Sequence, residues 1–150
     1  LNHYPNSLLF ELTPRCNLTC VHCSSHGQPE LHRAHNRMQE MSPDMLTHLA
    51  DEVFPSLTSL CLVGRGEPTM ASAKLWRSFT EAVIKHRVLL AIITNGCFIP
   101  HRITPDLLPF IDNITFSIDG LLGETFAANR IGASASVGIV TGKKAGSKGY

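Results

Sequence analysis

"VLLAIIT", residues 88–94, is apolar throughout until its closing threonine and is rich in branched side chains. A strand with one wet face alternates apolar and polar residues. An unbroken apolar run is expected where both faces of the sheet are covered, as in parallel α/β architectures. The flanking sequence agrees. Upstream, Leu75, Trp76, Phe79, Ala82 and Val83 recur at helical spacing, with Glu81 and Lys85 one turn apart on the same helix. Before that helix stands a strand at about 57–63, preceded by a helix opened by Ser42, Pro43 and Asp44. That helix carries Met45, Leu46, Leu49, Ala50, Val53 and Phe54 at helical spacing and stops at Pro55. "SLLFELT" (7–13) supplies an earlier strand, and "NITFSID" (113–119) a later one after a short helix near 104–110. Strands alternating with helices predict an α/β fold of parallel (βα) repeats joined by right-handed crossovers. Residues 24–41 show no sustained period and read as a connector, with "HRAHNR" (32–37) as a solvated loop within it.

Composition narrows the functional classes. A chain of 150 residues with a hydrophobic share of 43% can bury one core. Its net charge of +1 offers no broad footprint for nucleic acid or an anionic membrane. No apolar run approaches the roughly 20 residues that span a bilayer. The opening "LNHYPNS" has neither a basic start nor an apolar segment of the kind that directs secretion. A cytoplasmic protein is the expectation, and the acceptor patterns at Asn17 and Asn113 are chance matches. Five cysteines cannot all pair within one chain. Cys61 reads as a small buried hydrophobe in its strand, and Cys97 as an inert thiol.

The chemistry concentrates after the strands. "CNLTCVHC" (16–23) follows the first, "GRGEP" (64–68) the second, "TNG" (94–96) the third, and "SIDG" (117–120) closes the fourth. In a parallel sheet these ends share one face, which is where α/β proteins build their sites. Clustered thiols outside a secretory context point to metal or redox chemistry. Soft thiolates suit an iron–sulfur cluster, and three of them leave one iron of a four-iron cluster open. The same thiols also suit zinc, with His22 or His26 as fourth ligand.

"FELTPRCNLTCVHC" (10–23) resembles the cluster loop of the radical S-adenosylmethionine enzymes, and "GRGEP", "TNG" and "SIDG" resemble that superfamily's later signatures in the same order. The resemblance covers roughly residues 7 to 126. It implies a TIM-like partial barrel, here truncated after about four strands. It also implies a [4Fe–4S] cluster on Cys16, Cys20 and Cys23, with S-adenosyl-L-methionine chelating the open iron. Reductive cleavage of that cofactor would give a 5′-deoxyadenosyl radical that abstracts hydrogen from substrate. His22 falls where the family meets adenine. Gly64, Gly66, Glu67 and Pro68 fall in the loop that receives the methionine ammonium, with Glu67 offering charge and Asn95 nearby. Ser117 and Asp119 fall where ribose and carboxylate are held. Arg65 departs from the family pattern and is tolerated if it points to solvent. The implied partners are a low-potential donor of flavodoxin or ferredoxin type and a substrate that is a peptide or protein, as in the SPASM-type branch. The alternative is a non-catalytic iron–sulfur or zinc module.

After Glu124 no acidic residue follows, and residues 127–150 are rich in Gly, Ala, Ser and Lys. That composition predicts a tail outside a core of residues 1–126. The expectation is a fragment, or a reading frame shifted after about residue 134.

Overall fold

The computed structural model describes residues 4–120 and 123–133. Four strands, β1 (Ser7–Phe10), β2 (Ser59–Leu62), β3 (Leu89–Thr94) and β4 (Ile111–Phe116), form one parallel sheet in the order β1-β2-β3-β4. Phe10 pairs with Leu62, Leu62 with Ile92, and Thr94 with Phe116, so all four carboxyl ends emerge along one edge. An irregularity between Leu90 and Ala91 shifts the β3–β4 register. The fold is therefore the expected parallel α/β architecture: an open sheet corresponding to part of a TIM-like barrel. Residues 134–150, where the tail and the frame shift were expected, lie outside the described residues. The boundary expected after residue 126 falls inside a helix.

The two long helices form where apolar spacing and caps agree. Helix α2 (Pro43–Val53) begins at Ser42, whose hydroxyl accepts from the Met45 N–H at 3.1 Å. It runs into a 3₁₀ turn, Phe54–Ser56, around Pro55. Helix α3 (Ala73–His86) buries Leu75, Trp76, Phe79, Ala82 and Val83, the residues its periodicity selects. Both helices lie on the sheet face that carries Phe10, Leu60, Leu62, Leu90 and Ile92, and these residues make one core. Lys85 pairs with Asp51 of α2 at 2.6 Å instead of with Glu81, tying the helices together at the surface.

Four expectations need correction. Residues 29–37 are not a connector but helix α1 (Pro29–Arg37), which buries no residue fully. Its packing is polar, so no apolar period announces it. The short helix near 104–110 is replaced by α4 (Ile99–Arg102) and a 3₁₀ turn, Leu108–Phe110. The sheet is covered on one face only by the described residues. Leu9, Leu89 and Ile93, at 74%, 48% and 37% exposure, line the other face. Cys61 shares that face and is half-buried, not a core residue. A last helix, α5 (Gly123–Asn129), follows β4. Among the described residues no helix is long and apolar enough to cross a membrane.

Candidate active site at the carboxyl ends of the strands

The loop after β1 is held from three sides. Buried Leu18 anchors it to the protein. The Cys23 N–H donates to the Cys20 carbonyl at 2.9 Å and the Gly27 N–H to the Cys23 carbonyl at 2.8 Å, closing two successive turns. From the far end of the chain, the Ile131 carbonyl accepts from the Thr19 N–H at 2.9 Å and the Asn129 carbonyl from the Val21 N–H at 3.1 Å. The residues just after β4 and α5 thus clasp the cysteine loop.

Each thiol receives a hydrogen bond. The Leu18 N–H reaches Cys16 Sγ at 3.5 Å, the His26 N–H reaches Cys23 Sγ at 3.3 Å, and Arg130 Nη1 reaches Cys20 Sγ at 3.6 Å. Burial pushes the Cys16 thiol up to about 11. The Leu18 N–H opposes that rise, while the charges of Glu67, Cys20 and Cys23 add to it. Burial also raises Cys20, with Arg130 opposing. Thiols like these ionise when a positive metal centre supplies the missing charge. The donor set fits an iron–sulfur cluster, in which each thiolate takes a different iron.

Arg130 is the main side chain that sequence reasoning missed. It is buried, and its Nε lies 2.6 Å from Asp119 Oδ2. Those two atoms are misaligned for N–H donation and make no other hydrogen bond, so the pairing is electrostatic. His22 Nε2 stands 3.5 Å from the same carboxylate oxygen. Cys20, Asp119 and His22 are therefore linked in series, Arg130 reaching Cys20 and Asp119, and Asp119 reaching His22. An arginine just past a short helix carries no one-dimensional signal.

The loop after β2 is held from inside by Glu67. Glu67 is buried and its carboxylate is saturated. Oε1 accepts from the Thr69 N–H at 3.1 Å, the Thr69 hydroxyl at 2.5 Å and the Thr94 hydroxyl at 2.6 Å. Oε2 accepts from the Asn95 N–H at 2.8 Å. The side chain caps the 3₁₀ turn Pro68–Met70 and ties it to the end of β3. Pro68 is buried in that turn. Gly66 packs on the cysteine loop: a Cβ there would stand 2.3 Å from the Thr13 carbonyl oxygen and 2.5 Å from that of Arg15. The Cβ of a residue at 64 would meet Glu11. Arg65 does point to solvent, pairing with Glu11 at 3.1 Å.

Asn95 completes the junction. Its Nδ2 donates to Asn17 Oδ1 at 2.9 Å and its Oδ1 accepts from the Cys97 N–H at 3.0 Å. Ser117 begins just past β4, with its N–H on the Thr94 carbonyl at 2.9 Å. Among the described residues the thiols of Cys97 and Cys61 make no hydrogen bond in this arrangement, Cys97 entering it through its backbone N–H alone.

Comparison with known proteins agrees with the geometry. A family described as the Radical SAM superfamily matches residues 10–134. The chain is 32% identical over 133 residues to the mycofactocin maturase MftC of Mycolicibacterium smegmatis, covering 84% of this chain and 30% of that protein. It is 30% identical over 128 residues to an AdoMet-dependent heme synthase of Methanosarcina barkeri, covering 83% of this chain and 34% of the relative. The chain thus spans about a third of these relatives. Among solved structures, Streptococcus suis SuiB bound to precursor peptide SuiA superposes with a TM-score of 0.61 at 15% identity, over 85% of this chain and 27% of that one. Fold, motif order and relatives agree, and the chain belongs to the radical SAM superfamily.

Proposed function

We propose that this chain carries the cofactor-binding part of a radical enzyme that acts on a peptide. Cys16, Cys20 and Cys23 hold a [4Fe–4S] cluster, and the loops after β2, β3 and β4 take S-adenosylmethionine beside it. The observation that carries the reading is the single protein N–H aimed at each of the three sulfurs. N–H donors stabilise negative charge on sulfur and tune a cluster's potential. When bound, the two groups supply one-electron chemistry that removes hydrogen from an unactivated carbon.

The protein's own residues then have separate tasks. Arg130 offsets thiolate charge at Cys20, and Asp119 holds Arg130. Glu67 fixes the second and third loops against each other from inside. The carbonyls of Gly64, Arg65 and Gly66 are the acceptors available to the cofactor's ammonium, because the Glu67 carboxylate is already engaged. His22, Asn95 and Ser117 line the remaining sides. A peptide substrate is supported by the maturase relative and by the peptide-bound structural neighbour. The reaction calls for a low-potential electron donor of flavodoxin or ferredoxin type, and free thiols of this kind suit the cytoplasm.

Anaerobic reconstitution with iron and sulfide tests the reading. The expected product is an oxygen-sensitive cluster whose paramagnetic spectrum shifts on adding S-adenosylmethionine. Cys20→Ala should lose the cluster, while Cys61→Ala and Cys97→Ala should keep it. Full iron content in Cys20→Ala, or stoichiometric zinc without sulfide in the parent, would show the assignment to be wrong.

A further inference from the structure

Helix α1 contributes no buried residue to the core, yet one of its faces lies against the loop that carries Cys16. Asn36 meets Cys16 at two points. Its Oδ1 accepts from the Cys16 N–H at 2.9 Å, and its Nδ2 donates to the Cys16 carbonyl at 3.1 Å. This is the pairing a neighbouring strand would give that residue, supplied here by a side chain. Asn36 is itself braced. Its Nδ2 lies 2.9 Å from His32 Nε2, one helical turn back. His32 Nδ1 lies 3.0 Å from His26 Nδ1, and His26 Nε2 lies 3.0 Å from the Pro14 carbonyl.

These contacts fix the hydrogens in one direction. The Pro14 carbonyl only accepts, so His26 carries its proton on Nε2, and its Nδ1 accepts. His32 therefore donates from Nδ1, which leaves its Nε2 bare to accept from Asn36. The amide must then present its oxygen to the Cys16 N–H, as found; turning it over would set NH₂ against N–H. The result is a chain of aligned hydrogen bonds that leaves the loop at Pro14 and returns to it at Cys16. The backbone N–H of His26 also reaches Cys23 Sγ at 3.3 Å, so one residue touches the last cysteine of the motif and the backbone two residues before the first.

We infer that Asn36, braced by His32 and His26, is a positioning residue that presets the backbone of Cys16 for cluster capture. The inference rests on the reading of Cys16 as a cluster ligand. It gives α1 a purpose that its lack of buried core residues leaves open: the helix is a splint for the loop, attached through His32 and Asn36.

Alkylation of the metal-free chain, mapped cysteine by cysteine by mass spectrometry, tests the splint without any bound group. Asn36→Ala should raise the rate at Cys16 about tenfold or more relative to Cys97 in the same sample, as expected for losing two backbone hydrogen bonds. His32→Ala should raise it by a smaller factor. His32→Gln, which can still accept from Asn36 and donate to His26, should restore it. After anaerobic reconstitution, Asn36→Ala should hold a minority of the parent's iron. Rates at Cys16 within twofold of the parent in both alanine variants would overturn the inference. If Asn36→Ala loses its cooperative thermal transition, the His32 pair decides alone. A parent chain that takes up no cluster would overturn the ligand reading, and the alkylation contrast would still judge the splint by itself.

Discussion

Gly66 carries a packing constraint that its motif does not announce. Its place in "GRGEP" suggests close approach to a cofactor, but the atoms nearest its missing Cβ are the carbonyl oxygens of Thr13 and Arg15. The Glu67 N–H also donates to the Arg15 carbonyl at 2.8 Å, so the second loop is stapled to the first at this point. Backbone at 2.3 Å cannot yield as a flexible side chain would. Gly66→Val should therefore cost about 1–3 kcal/mol of stability, and it should reduce cluster uptake as well as cofactor binding. Urea denaturation and iron content after reconstitution check both; a variant with parental iron that lost only cofactor binding would contradict this account. The grouping of the three cysteines in one loop was legible because residue type and spacing are written in the sequence. Arg130 and Asn36 were not, because each acquires its role only from what the fold sets beside it.

Among the elements, α2 and α3 could be read from sequence because their contacts are apolar and recur with the helical period. Helix α1 was invisible for the opposite reason, as its attachments run through His32 and Asn36 to the backbone of a loop. Glu40, in the link between α1 and α2, shows a similar polar attachment. It accepts from the Ser72 N–H at the start of α3, at 3.1 Å, and from the Arg15 guanidinium. Burial alone would raise its pKa, yet the hydrogen bonds from Ser72 and Arg15 outweigh it and hold the carboxyl below its ordinary value. A depressed folded pKa contributes stability that is complete above the unfolded value, about 4.3 for glutamate. That stability is lost as pH falls through the lower, folded value. Acidification from pH 6 to pH 3 should therefore reduce the parent's urea midpoint more than that of Glu40→Gln. Parallel midpoints across that range would mean the carboxylate link contributes nothing.

At the scale of the whole molecule, the continuous apolar run of β3 implied cover on both faces, whereas the described residues cover one. Leu9, Leu89 and Ile93 remain on the open side, together with half-buried Cys61. β4 pairs with no further strand among the described residues. An apolar face next to an unpaired edge favours self-association. The isolated chain should sediment with concentration-dependent mass, and Leu9→Lys with Ile93→Lys should restore a monomer while leaving the helix-covered core intact. A parent that stays monomeric at high concentration would show that the open face is not adhesive. The clasp on the cysteine loop has a consequence in time as well as in space. Cys20 and Arg130 are separated by 110 residues, which at ordinary synthesis rates puts roughly 5–20 s between the emergence of the thiol and of the guanidinium that meets it. During that interval the nascent chain displays its cysteines without their clasp, and the cradle is finished only after translation has passed β4 and α5.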